Sequence, residues 1–138
     1  MNPKNVRAEL ARARKSLQAA KILHADGLFE DAVSRAYYAV MHSAKAALLV
    51  HETISASHAA IRRLFGSVLV RSGRIEKEWA TILAREQDRR IAADYDATLS
   101  IAADASLRLI DDADRFVQRI QRYLVEEGVL DAEDQQRG

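Results

Sequence analysis

At 138 residues, with 49% hydrophobic and 30% charged side chains, the chain is sized for one domain with a single core. No cysteine is present, which excludes a disulfide framework, a thiolate nucleophile and a Cys metal site. No stretch approaches the roughly 18 apolar residues of a membrane span, and the polar start MNPKNVRAEL is unlike a signal peptide, so no membrane association and a cytoplasmic location are expected.

Breakers are scarce: five Gly, and one Pro at position 3, in a chain rich in Ala, Leu, Arg and Glu. These are good helix formers, and the elements read as helices throughout. The first is expected over about Asn5–Ala25, with Val6, Leu10, Ala13, Leu17, Ala20 and His24 recurring at three and four. Asp26-Gly27 breaks it. The second runs over about Phe29–Val50, with Phe29, Val33, Ala36, Tyr37, Val40, Ala44, Ala47 and Leu48 on its core face. A polar connection, His51–Ser57, leads to a short third helix over about His58–Ser72, for which Ser57 is a suitable N-cap and Gly73 a stop. A fourth begins near Glu76 and either continues to about Ala93 or breaks near Asp94-Tyr95-Asp96. The last spans about Leu99–Glu126 and has the most regular stripe, from Ala102 to Leu124. Gly128 ends it, leaving 129–138 as a flexible acidic tail. Short connections between amphipathic helices favour antiparallel neighbours. The expected fold is therefore all-α, an up-and-down bundle of four to five helices over residues 1–128.

An α-helix turns about 100° per residue, so on the second helix Asp31, Arg35, Tyr38, His42 and Leu49 lie opposite the core stripe. Arg35 and His42 are two turns apart with Tyr38 between them. A merely solvated face would carry more Glu and Lys. Three readings stay open from spacing alone. The helix is central and Arg35 pairs with Asp31, or the face is a dimer interface, or it binds or cleaves RNA.

The segment from Asp31 to Leu49, DAVSRAYYAVMHSAKAALL, resembles the signature S-R-A-Y-Y-A-x-x-H-A-A-x-A-L-L of a prokaryotic HEPN family. Gly27 precedes it at a suitable distance, Ser57-His58 opens the next helix, and Arg90-Ile-Ala-Ala-Asp-Tyr95 resembles the family's R-x-x-A-D-Y element. The resemblance extends over about Leu10 to Ile120. It implies a four- to five-helix, often dimeric bundle, encoded beside a minimal nucleotidyltransferase that acts as antitoxin. It also implies metal-independent ribonuclease activity through an R-x(4–6)-H motif, whose spacing Arg35 and His42 fit with six residues between them. One departure is plain. In catalytic relatives that motif lies late in the bundle, whereas no His follows Arg90 here; Asp94 and Tyr95 stand in its place.

The chemistry suits these residue types. A guanidinium binds phosphate by parallel hydrogen bonds and stabilises its added charge, and an imidazole transfers protons near neutrality. Arg35 and His42 are thus the expected catalytic pair. Tyr38, Arg90, Asp94 and Tyr95 are the expected nucleotide- or RNA-binding residues, with Tyr38 and Tyr95 able to stack a base. By family analogy they could instead accept a nucleotide from the transferase. A plain structural ion pair is the alternative for Arg90 and Asp94. One His serves poorly as both acid and base, and a homodimer would supply a second. His24 reads as packed, His51 as a loop residue and His58 as a helix-start residue. No histidine has metal-ligand spacing, so no metal or cofactor is expected. Eight Arg and Lys between His58 and Arg90 outnumber four acids, while Glu126–Asp134 carries five acids and no base, so the middle of the chain is where phosphate would be met. The competing function is a non-catalytic nucleotide- or partner-binding module; a bare helical dimerisation domain is a third.

Overall fold

The computed structural model describes residues 1–54 and 57–131. Helix α1 spans Pro3–Ala25, α2 Phe29–Val50, α3 His58–Leu64, α4 Lys77–Tyr95 and α5 Ala103–Glu126. No strand forms among the described residues, and none of their helices is long and apolar enough to cross a membrane. The expected all-α helical bundle is the observed architecture.

Local chemistry accounts for most boundaries. Asn2 caps α1 by accepting from Lys4 N at 3.0 Å, and Pro3 follows where no N–H is needed. The helix ends in a reversal at Gly27, whose φ of 79° an L side chain would resist. There Gly27 N donates to His24 O and Leu28 N to Leu23 O, closing the last carbonyls of α1. Glu30 and Asp31 open α2, placing negative charge at the positive end of its dipole. Ser57 caps α3 through Ala60 N, as its position predicted.

Two expectations shift and one open alternative is settled. The third helix does not run uniformly to Ser72: from Phe65 to Val70 it widens into a π-helical stretch, with Arg71 N reaching back five residues to Gly66 O. That widening keeps Phe65 and Leu69 on the same buried side as Ile61. The fourth helix continues through Asp94 to Tyr95, which settles the alternative. The last helix starts at Ala103 and not at Leu99, because the Asp96 side chain captures Thr98 N and Thr98 Oγ1 in a local turn. Ile101 N then donates to Glu30, which pins the connection to the start of α2.

The core forms around α2, which packs against α1, α3, α4 and α5. Its burial goes well beyond the expected stripe: Ala32, Ala39, Met41, Ser43 and Ala46 are buried too. Small side chains let neighbouring helices close on α2 from several directions. Tyr37, Phe65, Phe116 and Leu124 fill the centre. Arg119 of α5 is buried and is held by Glu76, whose Oε1 is 2.8 Å from Nε and also accepts from the Trp79 indole. Packing also extends past Gly128, since Val129 and Leu130 are buried against the core. Both fall in the segment expected as a tail; residues 132–138 lie outside the described residues. His51, expected in a polar loop, is half-buried and bonded to the Tyr123 hydroxyl. His24 packs on Phe29 and shares a hydrogen bond with Ser106.

Candidate functional site around Tyr38

The only long stretch of α2 that its neighbours leave partly open carries Arg35, Tyr38, His42, Lys45 and Leu49, spaced by three and four. Tyr38 is the hub. The Arg35 guanidinium carbon lies 4.8 Å from the centre of its ring, in a cation–π contact. Arg35 is exposed and pairs with no carboxylate among the described residues, so the expected alternative of an Asp31 partner does not form. The His42 ring approaches Tyr38 from one turn on, with centroids 6.4 Å apart.

Arg90 reaches this hub from α4. Its Nη2 donates to Tyr38 Oη at 3.2 Å, and its guanidinium carbon lies 5.5 Å from the Tyr38 ring centre and 5.7 Å from that of Tyr37. Its Nε sits 2.7 Å from Asp94 Oδ2, an ion pair one turn along α4 whose N–H is not aimed along the contact. Arg90 and Asp94 thus make the structural pair that the sequence offered as an alternative, yet the rest of the guanidinium remains on the tyrosines. Tyr95 is 84% exposed at the end of α4, and none of the contacts that draw the other residues together involves it.

Two members were not among the expected site residues. Glu9 of α1 accepts from His42 Nδ1 at 2.7 Å through Oε2 and lies 3.3 Å from Lys45 Nζ through Oε1. A carboxylate can only accept, so the neutral His42 ring keeps its proton on Nδ1 and leaves Nε2 as the acceptor. A usable signal existed: the reversal at Gly27 brings together residues equally far from it, and Glu9 and Lys45 are both eighteen away. His58 is the other. Its ring lies 5.5 Å from that of Tyr37 and edge-on to Tyr38 at 6.0 Å. It comes from the first residue of α3, a different element from the tyrosines, and no spacing rule encodes that meeting.

The electrostatics follow from packing. Burial pushes the Tyr37 phenol up to about 12, with Arg90 opposing, so Tyr37 is a neutral wall, in line with the structural role expected of it. Burial lowers the His58 imidazole, and the nearby cations Arg90 and Lys45 and the His42 ring lower it further, so His58 is a neutral base at pH 7. Beyond His42 the same floor continues into a groove of about 310 Å³, where Glu9 and Lys45 meet Leu48, Leu49, Ile54 and Ile61. Guanidinium groups, an imidazole of fixed tautomer and an apolar recess thus lie side by side.

Among proteins similar to this chain is one of Methanocaldococcus jannaschii named "Putative toxin MJ0605", 38% identical over 121 residues, covering 88% of this chain and 90% of that protein. Another from the same organism, "Putative toxin MJ0142", is 27% identical over 125 residues, 91% of this chain and 85% of its own. A "UPF0332 protein" of Gloeobacter violaceus is 37% identical over 116 residues, 83% of this chain and 92% of its own. The family model described as HEPN domain matches residues 6–123, which takes in every residue gathered at Tyr38. Helical bundle, signature segment and family match agree: the chain belongs to the HEPN-domain family.

Proposed function

We propose that this is a HEPN toxin-type protein acting as a metal-independent endoribonuclease, with its site on the Tyr38 face and its activity controlled by a nucleotidyltransferase antitoxin. The observation that carries the reading is the meeting of two guanidinium groups and a carboxylate-held imidazole on one phenol ring at a half-open surface. Arg35, exposed and without an acid partner among the described residues, binds the scissile phosphate and offsets its added charge. Arg90 orients Tyr38 and contributes positive potential from the opposite side. The Tyr38 ring carries the stacking surface, and the groove beyond His42 has room for a nucleobase. A homodimer belongs to the same reading, as does RNA as the target. The toxin names of two relatives support the class.

The test is direct. The full chain, incubated with single-stranded RNA in EDTA, is expected to leave 2′,3′-cyclic phosphate ends. Arg35→Ala and His42→Ala are each expected to lose at least about 10²-fold in rate while retaining the helical circular dichroism of the parent. Parent-level cleavage by both variants would remove this face from the mechanism.

One observation favours a second reading, a non-catalytic binding module. Asp94 stands where the late histidine of catalytic relatives is expected, and it occupies the Nε edge of Arg90. That module would bind nucleotide and co-purify with a nucleotidyltransferase without cutting RNA under any condition.

A further inference from the structure

We propose that His58 is the second proton-transfer group of this site, so that a single protomer holds both acid and base: His58 takes the proton of the attacking 2′-OH and His42 gives one to the departing 5′-oxygen. The proposal rests on the ribonuclease reading above and adds to it a residue and an assignment of roles.

Geometry is the first support. The two imidazoles approach one phenol ring from different helices, His42 at 6.4 Å from α2 and His58 at 6.0 Å from the start of α3. They are near enough for the charge of one to act on the other. Arg90 lies over the same two tyrosines that His58 touches, which sets a cation beside the ring. The second support is that the two rings are held differently. His42 is tied at Nδ1 by Glu9, which fixes its tautomer and presents Nε2 for the reaction. His58 has no carboxylate against it among the described residues. The charged and titratable groups facing it are Tyr37, Tyr38, His42 and Lys45 from α2 and Arg90 from α4, and together with burial they keep it neutral. A neutral ring among cations suits a base; a ring with a carboxylate behind it suits an acid.

The step balances. The 2′-oxygen forms a bond to phosphorus as its proton passes to His58. The bond from phosphorus to the 5′-oxygen breaks, its electron pair stays on that oxygen, and the oxygen receives the Nε2 proton of His42 in its imidazolium form, which leaves the neutral ring with its remaining proton on Nδ1 against Glu9. The products are a 2′,3′-cyclic phosphate and a free 5′-hydroxyl. Solvent returns His58 to its neutral form and reprotonates His42.

An RNA whose scissile 5′-oxygen is replaced by sulfur separates the roles, because a thiolate leaves without a proton. Full-length His42→Gln is expected to be about 10²–10⁴-fold slower than the parent on the oxygen substrate and to recover most of that loss on the sulfur substrate. His58→Gln is expected to be slowed comparably on both, and to lose the acid limb of the bell-shaped pH–rate profile. His58→Gln within about threefold of the parent on the oxygen substrate, with its pH profile intact, would overturn the proposal and leave the ribonuclease reading standing. Sulfur rescue of His58→Gln alone would overturn the assignment of roles. A parent protein that cuts neither substrate overturns both readings together. A measurement without any substitution guards against misfolding of the variants. A 2′-deoxy dinucleotide is expected to shift the imidazole NMR signals of both His42 and His58, and a shift confined to His42 counts against the proposal.

Discussion

Arg35 is held by a ring and, among the described residues, by no carboxylate, and that distinction decides what can replace it. A planar guanidinium stacks on Tyr38 and still presents a fork of donors to a phosphate, whereas an ammonium at the end of a flexible stem does neither well. Arg35→Lys keeps the charge, yet is expected to lose about tenfold or more in RNA cleavage, with a melting temperature within a degree or so of the parent because the position is exposed. Full activity in that variant would show that charge alone suffices. Glu86 poses the opposite problem. It is fully buried, neither carboxyl oxygen has a hydrogen-bond partner among the described residues, and burial, aided by Asp112, raises its pKa well above the ordinary range. A raised carboxyl pKa means the folded state holds its proton more tightly than the unfolded chain does. This contribution is therefore whole below the usual carboxylate pKa and declines as pH rises toward the folded-state value. Glu86→Gln is expected to flatten that decline and to gain about 1–2 kcal/mol at pH 8, read from urea unfolding at pH 5 and pH 8. A parallel pH dependence in both proteins would mean that Glu86 is ionised and hydrated.

At the level of elements, most of the bundle was legible because every helix but α4 has a start or stop signal beside it: Asn2 and Pro3, Gly27, Ser57, Gly73, Gly128. The boundaries that moved were set by side chains reaching outside the helix pattern. Asp96 turned Leu99–Ala102 away from α5, and the widening over Phe65–Val70 that follows α3 has no counterpart in the hydrophobic pattern, since residues four apart share a face in an ordinary α-helix too. The candidate site was half legible. Arg35, Tyr38 and His42 share one element, so their spacing revealed the face. Glu9 and His58 come from other elements, and only tertiary packing delivers them. The same holds for the joint between the start of α4 and α5, where Glu76 meets Arg119. The Arg119 hydrogen bond draws the Glu76 carboxyl from its ordinary 4.5 to about 2. Such a depressed group contributes stability that is complete above pH 4.5 and is lost as pH falls through about 2. Glu76 is more than half exposed, so screening limits its share to about 1 kcal/mol. Glu76→Gln is accordingly expected to unfold about 1 kcal/mol more easily than the parent at pH 7, with the gap closing between pH 4 and pH 2. A gap that persists at pH 2 would assign the effect to shape rather than charge.

Across the whole molecule, the basic middle of the chain is less available to a polyanion than its sequence suggests. Arg62 is paired with Asp88, Arg85 with Asp112 and Arg90 with Asp94, while Lys21 of α1 reaches Asp114 of α5. Of the four positive charges in excess between His58 and Arg90, two, Arg85 and Arg90, are thus answered by acids outside that segment, one of them Asp112 on α5, and Lys21 takes up a further acid of α5. An RNA strand following the Tyr38 face would then displace counterions at a few phosphates around Arg35 and Arg90 and not along a broad basic surface. Each neutralised phosphate of a single strand contributes about −0.7 to the slope of log affinity against log salt. The expected slope for binding a 2′-deoxy oligonucleotide is therefore shallow, about −2, and Arg35→Gln should reduce it by about 0.7. Fluorescence anisotropy between low and moderate salt measures both. A slope near −5, unchanged by Arg35→Gln, would mean that the polyanion tracks the outer faces of α3 and α4 instead and meets the Tyr38 cluster only in passing.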